Sequence, residues 1–127
     1  MKKLLFTGGT GFLGRNIKPI LDERYEVTTI GISDADMIKA NFVTDIPALT
    51  EKYDVVLHAA GKAHIYPKSE AERKAFYDVN LTGTVHLCEA LESQMYQLYL
   101  QKHLHSCGYI HKNQGFSTSY LLQVHLR

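Results

Sequence analysis

Apolar positions change rhythm several times along residues 1–92. Lys3-Leu4-Leu5-Phe6-Thr7 is a short apolar run closed by glycines, the pattern of a buried strand. Phe12, Leu13, Ile17, Ile20 and Leu21 then recur at helical spacing, and Pro19 predicts a kink near the end of that helix. Tyr25-Glu26-Val27-Thr28-Thr29-Ile30 is rich in β-branched residues and predicts a second strand. Residues 37–43 form a weaker strand candidate. Residues 47–53 predict a short helix, with Thr44 or Asp45 as cap and Pro47 in its first turn. Asp54-Val55-Val56-Leu57-His58 is a strand that ends in Ala59-Ala60-Gly61. Ser69 and Glu72 have the spacing of a capping box. Behind them Ala75, Phe76, Val79, Leu87, Ala90 and Leu91 keep helical spacing to Glu92. The order β-α-β-β-α-β-α predicts an α/β fold, a doubly wound parallel sheet of about four to five strands with helices on both faces.

Composition adds a boundary to this picture. The chain has 127 residues, 45% hydrophobic and 21% charged, ordinary proportions for one soluble domain. Its 14 basic and 13 acidic residues leave a net charge of +1, so no basic field points to nucleic acid. No apolar run reaches the length of a membrane span. Leu4-Leu5-Phe6 is too short for a secretory signal. Cys88 and Cys107 lack CxxC spacing and read as reduced thiols of a cytoplasmic protein. The break falls at Ser93. Residues 1–92 hold all 13 acidic residues, nine Ala and no Gln, whereas residues 93–127 hold no Asp, Glu or Ala, five Gln and four of the seven His. One evolved domain seldom changes so abruptly. The expectation is a domain over 1–92 and an atypical tail over 93–127, arising from truncation or from a reading-frame shift near residue 93.

Candidate chemistry sits between the first strand and the first helix. In Thr7-Gly8-Gly9-Thr10-Gly11-Phe12-Leu13-Gly14, Gly8, Gly11 and Gly14 have the spacing GxxGxxG. A tight strand-to-helix turn needs a residue that accepts positive φ. A pyrophosphate needs bare main-chain N–H groups at a helix N-terminus. The last glycine lets helix and sheet approach closely. A plain glycine turn is the simpler alternative. A nucleoside-triphosphate loop is excluded, because Arg15-Asn16 stands where Lys-Ser/Thr is required.

The segment resembles the start of the extended short-chain dehydrogenase/reductase family, the NAD(P)-dependent epimerases and dehydratases. Three further segments are similar to that family in the same order: Asn41-Phe42, Asp54 to Gly61, and Phe76-Tyr77-Asp78-Val79-Asn80-Leu81-Thr82-Gly83-Thr84. The likeness covers about residues 1–92. It implies a Rossmann-like fold, incomplete in this chain, and a cofactor that is NAD or NADP. It implies a dinucleotide held by Gly8, Thr10, Gly11, Phe12, Leu13 and Gly14. Asn41 and Phe42 would lie beside the adenine, and Ala59, Ala60 and Gly61 along the cofactor. Asn80 would tie its helix to the neighbouring strand, and its spacing from Phe76, Val79 and Gly83 puts it near the packed face. A ribose-binding acid is expected about 20 residues past the glycines. Gly31 closes the second strand instead, and Asp34 and Asp36 follow slightly late, so NAD and NADP both stay open.

The family's base is Tyr-x-x-x-Lys, in which the ammonium stabilises phenolate. None of the eight tyrosines has lysine at the fourth position. The expected activity is therefore dinucleotide binding without catalysis. A nucleotide-sugar would be the substrate only of a full-length form. A stand-alone, non-catalytic module that senses redox state through NAD(P) is the alternative. His103, His105, Cys107 and His111 offer zinc ligands on one face of a strand, but no compact ligand pair accompanies them, and a His-rich tail without metal is preferred. His58 and His64 flank the cofactor edge, and His58 reads as a hydrogen-bonded core histidine. Cys88 reads as a packed thiol. Lys68, Arg73 and Lys74 with Glu70 and Glu72 make a mixed exposed face. A sheet this small leaves an open edge and an apolar face, so self-association is expected. No nucleic acid and no membrane are expected as partners.

Overall fold

The computed structural model describes residues 1–62 and 66–92, and the backbone of 122–125. Strand β1 (Lys2–Thr7) leads through a glycine turn into helix α1 (Phe12–Asp22). Strands β2 (Tyr25–Gly31), β3 (Ile38–Lys39) and β4 (Val55–His58) follow. Helix α2 (Glu70–Tyr77) runs through one wide turn at Asp78–Thr82 into helix α3 (Gly83–Glu92), and β5 (Leu122–His125) comes last. The sheet order is β3-β2-β1-β4-β5. β1 pairs in parallel with β2 on one side and with β4 on the other. β2 pairs in parallel with β3, whereas β5 lies antiparallel to β4 and covers the edge expected to be open there.

Alternation along β1 and β4 puts apolar side chains on both faces, as a doubly wound sheet requires. Leu4, Phe6, Val55 and Leu57 form one core, against which Ile17 and Leu21 of α1 pack. Leu5, Ile30, Phe42, Tyr53, Val56, Leu87 and Leu91 form the other, under α3. Phe12, Leu13 and Ile20 share the helical spacing of α1 but are exposed. Phe12 and Leu13 lie in its first turn, beyond the last residue of β1. Pro19 sits inside α1, which continues to Asp22.

Three local expectations change. The strand expected over 37–43 shortens to Ile38–Lys39. The helix expected over 47–53 does not form. Pro47 and Tyr53 are buried and Leu49 packs on the core, at separations that fit extended chain rather than one helical face. The capping atoms are spent upstream. Asn41 Oδ1 accepts from Val43 N at 3.1 Å, and Thr44 Oγ1 donates to Asp45 Oδ2 at 2.8 Å. So short a helix would have been marginal without a packed face. Third, the helix expected as one run to Glu92 widens at Asp78–Thr82, where the N–H of Gly83 donates to the carbonyl of Asp78, five residues back.

The capping box forms in a shifted version. Glu72 N donates to Ser69 Oγ at 3.1 Å, and the Glu72 carboxylate takes the N–H of Lys68 at 2.6 Å. α2 buries none of its own residues, so this cap matters to it. Ser69→Ala should cost about 1 kcal/mol, read as a shift in the urea midpoint. An unchanged midpoint would show that α2 does not depend on its cap.

Candidate functional site

β1 is central and its neighbours on either side belong to opposite halves of the sheet order, so the chain reverses its winding there. In sheets wound this way ligands bind outside the carboxyl ends of the strands at the switch point, here β1 and β4. The glycine turn and residues 59–62 stand at that end. Gly8 has φ of 77°, the left-handed region that favours glycine. A Cβ on Gly8 would lie 2.6 Å from Ala60 N and 2.7 Å from the Ala59 carbonyl carbon, so the turn presses directly on the chain leaving β4. A Cβ on Gly14 would lie 2.1 Å from the Gly8 carbonyl oxygen. A Cβ on Gly11 would meet nothing nearer than that same oxygen at 3.3 Å. Gly11 N closes the turn on Gly8 O at 3.1 Å. Gly11 caps α1 and has no side chain to bond the amides of the first turn, and no other side chain among the described residues takes them. Thr10 is half-buried within the turn, and Phe12 and Leu13 are exposed beside it.

On the β4 side, Asn80 fixes the exit of the strand. Its Oδ1 accepts from Lys62 N at 2.8 Å and its Nδ2 donates to Lys62 O at 2.9 Å. A Cβ on Gly61 would lie 2.8 Å from Asn80 Oδ1. Ala59 and Ala60 are half-buried and Gly61 is exposed. Asn80 is half-buried in the wide turn, and its tie runs to the loop after β4 rather than to the strand itself.

The β2 side is arranged differently from the sequence expectation. Asp34 is exposed and pairs with Lys39. Asp36 is the carboxylate that folds back on the end of β2. Its Oδ2 accepts from Ser33 N at 3.1 Å, and a Cβ on Gly31 would lie 2.6 Å from that oxygen. Its Oδ1 is buried and has no hydrogen-bond partner among the described residues. The signal in the sequence was Gly31 itself, which leaves space for a later carboxylate to return. Asn41 is exposed and organises its own turn, whereas the Phe42 ring is buried in the core. The Phe42 carbonyl accepts from His86 Nδ1 of α3 at 2.5 Å.

Between the two halves lies His58, 6% exposed, with Nδ1 2.5 Å from Thr7 Oγ1 and Nε2 3.0 Å from Thr84 Oγ1. Burial lowers its pKa to about 4, so it is neutral. This is the packed, hydrogen-bonded histidine that its position at the end of an apolar strand predicted. His64, His103, His105, Cys107 and His111 lie outside the described residues, and among the described residues no group of side chains could hold a metal ion. Cys88 is half-buried on α3. Arg73 and Glu70 pair at 3.1 Å on an exposed face, as their mixed charges predicted. Among the described residues no helix is long and apolar enough to cross a membrane.

Residues 4–110 match the model of the NAD dependent epimerase/dehydratase family. A dTDP-4-dehydrorhamnose reductase of Aggregatibacter actinomycetemcomitans is 34% identical over 92 residues, 71% of this chain and 31% of its own length. A UDP-glucose 4-epimerase of Vibrio cholerae is 31% identical over 104 residues, 72% of this chain and 32% of its own. The chain thus spans about a third of the length of these curated relatives. Among solved structures, uronate dehydrogenase from Agrobacterium tumefaciens superposes with a TM-score of 0.59 at 23% identity, covering 73% of this chain and 37% of that one. A mutant of that dehydrogenase, complexed with NAD, gives the same values.

Proposed function

The chain belongs to the NAD dependent epimerase/dehydratase family, and on that premise we propose that residues 1–92 are the dinucleotide-binding part of a nucleotide-sugar epimerase, dehydratase or reductase. The observation that carries this is the cradle at the end of β1. Gly8 and Gly14 are required by packing, whereas a Cβ on Gly11 would press only on the Gly8 carbonyl oxygen, at 3.3 Å. A pyrophosphate fits such a cradle, with main-chain amides at the start of α1 to receive it. Gly8, Thr10, Gly11, Phe12, Leu13 and Gly14 would hold it. Ala59, Ala60, Gly61 and Asn80 would line the opposite wall, and the exposed Asn41 the adenine end, whereas the Phe42 ring is held in the core. Nicotinamide, when bound, supplies a hydride acceptor or donor.

Asp36, folded back over Gly31 at the end of β2, is placed better for ribose hydroxyls than Asp34, which is exposed and paired with Lys39. A carboxylate there disfavours an added 2′-phosphate, which favours NAD over NADP. The relatives named for dTDP- and UDP-sugars support a nucleotide-sugar as the substrate of the whole protein. No tyrosine of this chain has lysine four residues on, so the part in hand binds rather than reacts. The composition break at Ser93 supports reading 93–127 as a compositionally distinct segment, although the family match runs on to residue 110 and β5 pairs with β4. The cysteine usage favours the cytoplasm.

The test is titration of the purified chain with NADH and NADPH by fluorescence, beside Gly11→Val. The wild type should bind NADH more tightly than NADPH. Gly11→Val should weaken NADH at least about ten-fold at a smaller loss of stability than Gly14→Ala, because its Cβ meets Gly8 O at 3.3 Å rather than 2.1 Å and its methyls enter the pyrophosphate space. Equal binding by both proteins would remove the site.

A further inference from the structure

Thr7, His58 and Thr84 form a chain of hydrogen bonds whose direction is fixed by proton counting. Thr84 Oγ1 donates to the carbonyl of Asn80 at 2.7 Å. A hydroxyl has one proton, so toward His58 Nε2, 3.0 Å away, Thr84 can only accept. Nε2 therefore carries the imidazole proton and Nδ1 is bare. At 2.5 Å from Nδ1, Thr7 Oγ1 must be the donor. That leaves the Thr7 oxygen free to accept, and Ala60 N donates to it at 3.2 Å. Every proton in the series Ala60 N–H, Thr7 O–H, His58 Nε2–H, Thr84 O–H points one way, toward Asn80 O.

Both ends of this series matter to the candidate site. Ala60 belongs to the peptide on which the glycine turn rests, since a Cβ on Gly8 would lie 2.6 Å from Ala60 N. Asn80, at the far end, clamps Lys62 with its side chain. We propose that Thr84, which lies on α3 outside the glycine turn, is a positioning residue. Through the Nε2–H tautomer of His58 it orients Thr7, and so holds the Ala59–Ala60 peptide under the turn in the shape that receives the dinucleotide. The role toward dinucleotide rests on the function proposed above, whereas the tautomer and the hold on Ala60 do not. The two Thr84 bonds have different uses. The bond to Asn80 O closes the helix turn, and the bond from His58 holds the Nε2–H tautomer, which a free neutral imidazole also favours, in one fixed orientation.

The test uses the full chain labelled with nitrogen-15. Ring-nitrogen shifts report the His58 tautomer, amide exchange reports Ala60, and NAD⁺ titration reports the site. The wild type should show Nε2 protonated, Nδ1 bare and a protected Ala60 amide. Thr84→Val, equal in shape but without the hydroxyl, should move the Nε2 shift away from its hydrogen-bonded value, leave Nε2 protonated, and speed Ala60 exchange. It should also weaken NAD⁺ binding about five-fold. Thr84→Ser should restore all three. A wild type with the proton on Nδ1 overturns the proposal without any variant, so a Thr84→Val chain that fails to fold does not protect it. Unchanged ring-nitrogen shifts and exchange in Thr84→Val, with only a lower melting temperature, would mean packing alone and also overturns it. A wild type that binds no NAD⁺ but has the Nε2–H tautomer and a protected Ala60 removes the ligand and leaves the hydrogen-bond series standing. The opposite combination removes the series and leaves the ligand.

Discussion

Gly14→Ala should cost about 3 kcal/mol of stability and abolish dinucleotide binding in the same step. The reason is geometric. A Cβ on Gly14 would lie 2.1 Å from Gly8 O and 2.5 Å from both the Cα and the carbonyl carbon of Gly9. All three atoms are main chain, so no rotamer change relieves the clash. Either α1 moves off the turn or the turn opens, and Ile17 and Leu21 would lose their seat on Leu4, Phe6, Val55 and Leu57. In a domain of this size about 3 kcal/mol is a large share of the total. The contrast with Gly11→Val is the diagnostic part. One substitution removes binding by removing the fold of the turn, the other by filling the space above it. Urea melts and NADH titrations of both variants read the difference. A Gly14→Ala chain as stable as the wild type would show that helix and turn are not in the contact described.

Acid should destabilise the domain through His58. Its pKa falls from 6.5 to about 4 because burial disfavours the charged form. Both ring nitrogens meet threonine hydroxyls, and no carboxylate is there to favour a cation. The unfolded chain takes up a proton on this histidine as pH falls through 6.5, whereas the folded chain resists until about 4. The stabilisation is therefore complete above pH 6.5 and is lost progressively down to about pH 4, a total of about 3 kcal/mol. The window from pH 6.5 to 5 lies above most carboxylate titration and should carry about 2 kcal/mol of it. Urea midpoints of wild type and His58→Gln across that window isolate the effect, since the other histidines are common to both proteins. The variant should be weaker at pH 7 and flatter below it. Parallel profiles would show that His58 is not buried as a neutral ring.

Much of the site could be read from residue order alone. Three glycines after an apolar run define a turn by steric need, and Gly8 and Gly14 meet that need by contact. Ser69 and Glu72 announced a helix start because their spacing is set by local hydrogen bonds. The features that escaped depend on chain reversal or on packing between distant segments. Asp36 became the carboxylate at the end of β2 because a turn from Ser33 to Asp36 folds it back over Gly31. Nothing in linear spacing distinguishes it from Asp34. The segment 47–53 has helix-like residues, but Pro47, Leu49 and Tyr53 are drawn inward one after another against the core. The hydrogen-bond series through His58 joins residues 51 and 26 positions apart, which no local pattern encodes.

The wide turn at Asp78–Thr82 sets how this helix tolerates a change in length. A turn closed over five residues holds one residue more than an α-turn. Deleting one residue inside it would let an ordinary turn form, with Leu87, Ala90 and Leu91 keeping their phase against the sheet. The same deletion further along α3 would rotate everything after it by about 100° and swing those apolar groups into water. Natural or laboratory variants that differ by a single codon in this helix should therefore cluster at Asp78–Thr82.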